Sequence, residues 1–157
     1  MIYQKNIKCD NIVIFGDLHG HFNDTVKFTK KHDIKNTVFL GVGDFGIIGQ
    51  DKTIVGALNH INPNLIKNNN FVYTIRGNHD NPSYFESKFQ IGNIQLLPDY
   101  SILTINGINF LMVGGAISVD RLPNKNFRNN IGKKSYGGRK IGVDYCENEN
   151  FVYNENI

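Results

Sequence analysis

The sequence has no tryptophan, two cysteines and four prolines in 157 residues. Cys9 and Cys146 share no short spacing and read as two reduced thiols rather than a disulfide or a metal pair. No run of about 18 apolar residues exists, so no membrane span is expected. Met1 to Asn6 lack the apolar core of a signal peptide, and a cytoplasmic protein is expected. No single sign of charge dominates: 17 basic residues against 14 acidic leave a net charge of +3. That balance permits a phosphate-bearing substrate without requiring one. The only dense basic patch, Lys133-Lys134 with Arg139-Lys140, lies in a Gly-rich segment and reads as a nucleic-acid contact or a plain loop. Of the five histidines, His19, His21, His32, His60 and His79, none lies beyond Asp80.

Apolar residues make up 40% of the chain, enough for the core of one domain, expected over 1–157. Residues 1–10 read as a lead-in or an edge strand. Strands are expected at Ile12 to Phe15, Thr37 to Val42 and Phe71 to Ile75. A helix capped by Asn23 should follow the first strand. After the second strand, a helix from Lys52 to about Asn59 should give way to another turn opened by Pro63. Beyond Asp80 a short helix, Pro82 to Phe89, precedes strands at 94–97, 101–105 and 108–113. Asn106-Gly107 is a hairpin signal. From Leu122 to Gly142 the chain is polar and irregular.

The first three strands end alike. Ile12 to Phe15 runs into Gly16-Asp17-Leu18-His19-Gly20. Val38-Phe39-Leu40 runs into Gly41-Val42-Gly43-Asp44. Phe71 to Ile75 runs into Arg76-Gly77-Asn78-His79-Asp80. Asp17 and Asp44 are 27 positions apart, and Asp44 and Asn78 are 34 apart. A strand, crossover helix and strand need about 30 residues. Parallel strands with right-handed crossovers put all three clusters on one sheet edge, where α/β proteins bind ligands. One Gly-Asp after a strand is most often turn chemistry. Three such clusters in order, at this spacing, read as a metal site.

Asp17, His19, Asp44 and Asn78 combine hard oxygens with an imidazole, a donor set for Mn²⁺, Fe or Zn²⁺ rather than Ca²⁺ or Mg²⁺. Asp44, from the central cluster, is the natural bridge between two ions. His79 is placed to protonate a leaving oxygen, and Asp80 to hold the His79 ring in orientation. Arg76 and Arg121 read equally as phosphate clamps or as ion-pair partners. His21 reads as a loop residue more readily than a substrate contact, and His32 and His60 as surface residues.

The three motifs together resemble the calcineurin-like metallophosphoesterase superfamily, over roughly residues 11–121. Gly114 to Arg121 and the loop after it look like its phage and bacterial branch of simple metallophosphatases. The resemblance implies a four-layer α/β/β/α sandwich. It implies two divalent ions, Mn²⁺ foremost, with Asp17 and His19 on the first, Asp44 bridging, Asn78 on the second and His79 as general acid. It also implies hydrolysis of phosphomonoesters or phosphodiesters, nucleotides and nucleic acid included, by a metal-bound hydroxide.

Two departures matter. Asp44 is followed by Phe45-Gly46-Ile47-Ile48-Gly49, without the Asp-Arg-Gly of the superfamily's protein phosphatases, so that activity is disfavoured. The later histidine motifs, ending in Gly-His-x-His, are absent. The chain therefore reads as truncated, with an incomplete second sheet, more readily than as a split protein completed by another chain. Asp120, Asp144, Glu147 and Glu149 are the substitute ligands to consider. The alternative function is a catalytically impaired remnant serving as a binding or scaffold module. A weaker one is a nucleic-acid-processing subunit using the basic loop Lys125 to Lys140.

Overall fold

The computed structural model describes residues 3–48, 52–87 and 89–115, together with the backbone of 135–136 and 139–140. The chain divides into two compact units, Met1–Ala116 and Ile117–Ile157. In the second, the described residues form one antiparallel pair, β9 (Ser135–Tyr136) and β10 (Arg139–Lys140). Asp120, Arg121, Lys133, Lys134, Asp144, Cys146, Glu147 and Glu149 lie outside the described residues.

The first unit holds two sheets. The larger comprises β2 (Asn11–Phe15), β3 (Thr37–Val42), β4 (Phe71–Ile75), β6 (Ile94–Leu96) and β5 (Gln90–Ile91), side by side in that order. Strands β2, β3, β4 and β6 run parallel, and β5 returns antiparallel at the edge. The smaller sheet has β7 (Ser101–Ile105) between β1 (Gln4–Ile7), which is parallel to it, and β8 (Ile108–Met112), which is antiparallel. Asn106 and Gly107, both at positive φ, turn the β7–β8 hairpin as the Asn-Gly pair requires.

Alternation along β3 and β4 divides the core in two. Phe39 and Val72 point to one face, where Leu58, Ile61 and Leu65 of α2 (Lys52–Lys67), Phe22 of α1 (Phe22–Lys31) and Phe85 of α3 (Pro82–Glu86) meet them. Val38, Leu40, Tyr73 and Ile75 point to the other, against Leu103, Ile105 and Met112 of the smaller sheet. Burial on both faces explains why β3 and β4 read as continuous apolar runs. The described residues thus form three layers, helices, large sheet and small sheet. All three described helices serve the one helical layer. On the small-sheet side, Ile14 and Val42 remain 64% and 56% exposed, so three strands cover the larger sheet only in part.

Three sequence expectations shift. The cap of α1 is His21, which makes no side-chain capping bond, and Asn23 lies inside the helix. Phe22 moves the start forward because its ring is buried against Phe45, with centroids 4.9 Å apart. The segment after Lys52 is one helix of 16 residues with Pro63 inside it. A proline there forfeits a helical hydrogen bond. Burial of Ile61 before it and Leu65 after it keeps the two halves on one axis. Finally, α3 ends at Glu86, and the short strand β5 follows.

Pro63 is exposed, so Pro63→Ala should restore the bond without opening a cavity. We expect about 1 kcal/mol of added stability, less than the full helix-interior penalty because the unfolded chain also gains freedom. A thermal melt checks it, as a rise of about 3 °C. Leu65→Ala should instead lose about 3 kcal/mol.

Candidate metal centre

The register of the large sheet sets the site. Phe15 pairs with Gly41 and Val42 with Ile75, so β2, β3 and β4 end nearly level and side by side. The loop after each is then bound to its neighbour. Asp17 N–H donates to the Gly43 carbonyl at 3.1 Å, His19 N–H to Asp44 at 2.9 Å, and Gly20 N–H to Phe45 at 3.0 Å. These three bonds lock the first loop to the second.

Asp80 locks the second loop to the third. Its side chain is fully buried. One oxygen accepts the N–H of Gly46 at 2.8 Å and of Ile47 at 2.9 Å, and the other that of Phe45 at 3.0 Å and of Gly77 at 2.8 Å. Four backbone dipoles thus compensate a carboxylate that would otherwise be costly to bury. Asp44 returns the bond, its Oδ1 accepting His79 N–H at 3.0 Å. A Cβ on Gly77 would overlap the Asp44 carboxylate and its backbone N, so glycine is required for the close approach.

The result is a cluster. Asp17, His19 and Asp44 each bring one ligand atom to within 4.8 Å of the other two. Asp17 Oδ1 lies 2.8 Å from His19 Nε2. Among the described residues, these are the acids, histidines and cysteines that gather closely enough to share a cation. All three hold left-handed backbone, with φ of 62° at Asp17, 43° at His19 and 48° at Asp44. Non-glycine residues adopt this region at a cost of about 1–3 kcal/mol each, and such strain gathers at functional sites. One nitrogen and two carboxylates suit Mn²⁺, Fe or Zn²⁺.

Residues 11–148 match the family model of the calcineurin-like phosphoesterases. The chain belongs to that family. No curated protein matches it as a relative. A calcineurin-like phosphoesterase is a metal-dependent hydrolase of phosphoester bonds, and the three-residue cluster is a candidate ligand group in this chain. No described helix is long and apolar enough to cross a membrane.

Other expected site residues are placed as follows. Asn78 sits between Gly77, which adjoins the Asp44 carboxylate, and His79, whose N–H binds it. The His79 ring meets that of His19 edge-on, with centroids 5.3 Å apart. Asp80, expected to hold the His79 ring in orientation, accepts the four backbone bonds given above. Arg76 gives its Nε and Nη2 to Asp99 Oδ2, at 3.1 and 2.6 Å, which makes it an ion-pair partner. His21, His32 and His60 are exposed. Sequence reasoning missed Asp99, which stands in no recognisable motif. It also missed Phe45, whose buried ring packs on Phe15 and Phe22 and so anchors the loop of Asp44 in the core.

Gly77→Ala should displace the Asp44 carboxylate and weaken Mn²⁺ binding at least about tenfold in calorimetric titration. Asp80→Asn turns an amide donor towards backbone donors and should cost about 3 kcal/mol in a denaturant melt.

Proposed function

We propose that this chain is a phosphoesterase with a dinuclear centre, hydrolysing phosphomonoesters or phosphodiesters, nucleotides and nucleic acid among them. The observation that carries the reading is the convergence of Asp17, His19 and Asp44 within 4.8 Å. In this reading Asp17, His19 and Asp44 would hold one ion, and Asp44 and Asn78 would hold the other. Mn²⁺ is the first choice, with Fe and Zn²⁺ sharing the same donor preference. Paired divalent ions, when bound, supply the charge that polarises a phosphoryl group and acidifies a water.

The chain's own groups do the rest. Asp17 and Asp44 bring two carboxylates to the strand ends, and His19 an imidazole nitrogen. His79 gives a proton to the leaving oxygen, and its ring stands one side chain away from the cluster. Asp80 is a positioning residue, acting through the backbone that it binds. Arg76 is engaged by Asp99 through Nε and Nη2, which favours its ion-pair role.

The test is hydrolysis of an aryl phosphate monoester and diester with Mn²⁺. His79→Ala should lower kcat by about 10²–10⁴-fold while Mn²⁺ affinity stays within about threefold. An equal loss of both would refute the acid role. Asp44→Ala should abolish metal retention and turnover together, and a fully active variant would end the bridging assignment. A purified chain that retains no metal by elemental analysis would favour the scaffold reading instead.

A further inference from the structure

Asp99 joins four parts of the first unit. It lies between β6 of the large sheet and β7 of the small one. Its Oδ2 takes two bonds from the Arg76 guanidinium, and its Oδ1 accepts Gly114 N–H at 3.1 Å, just beyond β8. The circuit closes when Gly115 N–H donates to the Arg76 carbonyl at 2.8 Å. Gly115 packs against the guanidinium, where any Cβ would collide with it. The Arg76 and Asp99 side chains are 21% and 27% exposed, so water screens the pair less than a surface one.

Arg76 is the residue between β4 and Gly77. Whatever holds Arg76 by both its side chain and its carbonyl also holds the start of Gly77-Asn78-His79. His79 N–H in turn bonds the Asp44 carboxylate. We propose that Asp99 is a positioning residue for the metal centre. Through Arg76 it couples the small sheet to the loop carrying Asn78 and His79. This rests on the metal-centre reading given above. It goes beyond that reading in assigning control of the third loop to a carboxylate outside all three motifs. The charge matters as well as the shape, because the Asp99 carboxylate neutralises the guanidinium that it holds.

The test compares the full-length wild type with Asp99→Ala, Asp99→Asn and Asp99→Glu. Amide hydrogen exchange is followed by NMR in the metal-free state, and Mn²⁺ affinity by calorimetry. Asp99→Ala should speed exchange at His79, which Asp99 does not touch, at least about tenfold. Amides of α2 should be unchanged. Mn²⁺ affinity should fall about tenfold. Asp99→Asn should show most of this loss, and Asp99→Glu, which keeps the charge, should recover part of it. Faster exchange confined to Gly114 and Gly115 would show a purely local contact and overturn the proposal. Equal acceleration in α2 would show general destabilisation and overturn it too. If the wild type binds no Mn²⁺, the metal-centre reading fails, and the His79 amide alone decides whether the coupling exists.

Discussion

One buried carboxylate gathers the site. Asp80 accepts four backbone N–H groups from two loops that leave different strands. Charge-assisted bonds of this kind are worth about 1.5–3 kcal/mol each, and a buried carboxylate without them would be untenable. The segment Phe45-Gly46-Ile47 and the segment Gly77 to Asp80 are therefore held as one body. The first loop joins them through three backbone bonds to Gly43, Asp44 and Phe45. Remove this clasp and the strand ends would still lie side by side, but their loops would have no common geometry.

The clasp also explains how the three residues of the candidate metal cluster can hold left-handed backbone. Asp17, His19 and Asp44 would each relax to a commoner conformation if their loops were free. The neighbouring bonds over-determine them, and the strain is offset by the aromatic packing of Phe15, Phe22 and Phe45 beneath. The two carboxylates are thereby brought together by the chain's own bonds. In that arrangement their mutual repulsion favours cation binding, since a divalent ion relieves it. The family membership and the geometry point the same way, towards metal-assisted phosphoester chemistry at the ends of β2, β3 and β4.

Much of this was legible in the residues. The three parallel strands, their crossover helices and the convergence of Asp17, His19 and Asp44 follow from apolar runs that end in Gly and Asp at βαβ spacing. The Asn106-Gly107 hairpin follows from turn chemistry. What escaped is tertiary in origin. Pro63 suggests a helix break, but Leu58, Ile61 and Leu65 lie on one buried stripe, and packing overrides the local signal. Asn23 is the better cap by propensity, yet burial of Phe22 sets the helix start. Asp80 follows a histidine, which invites a side-chain partnership. Only the folded loops reveal four backbone donors within its reach. Arg76 and Asp99 are 23 positions apart, and no periodicity links them.

The central claim is that the loops carrying Asp17, His19 and Asp44, clasped by backbone bonds to each other and to the loop after β4, present one cation cradle. Anomalous diffraction from Mn²⁺-soaked crystals of the full chain tests it most directly. The account predicts a peak about 2.0–2.3 Å from donor atoms of Asp17, His19 and Asp44 together. Saturating Mn²⁺ with no peak there, or with peaks only elsewhere on the chain, would contradict it.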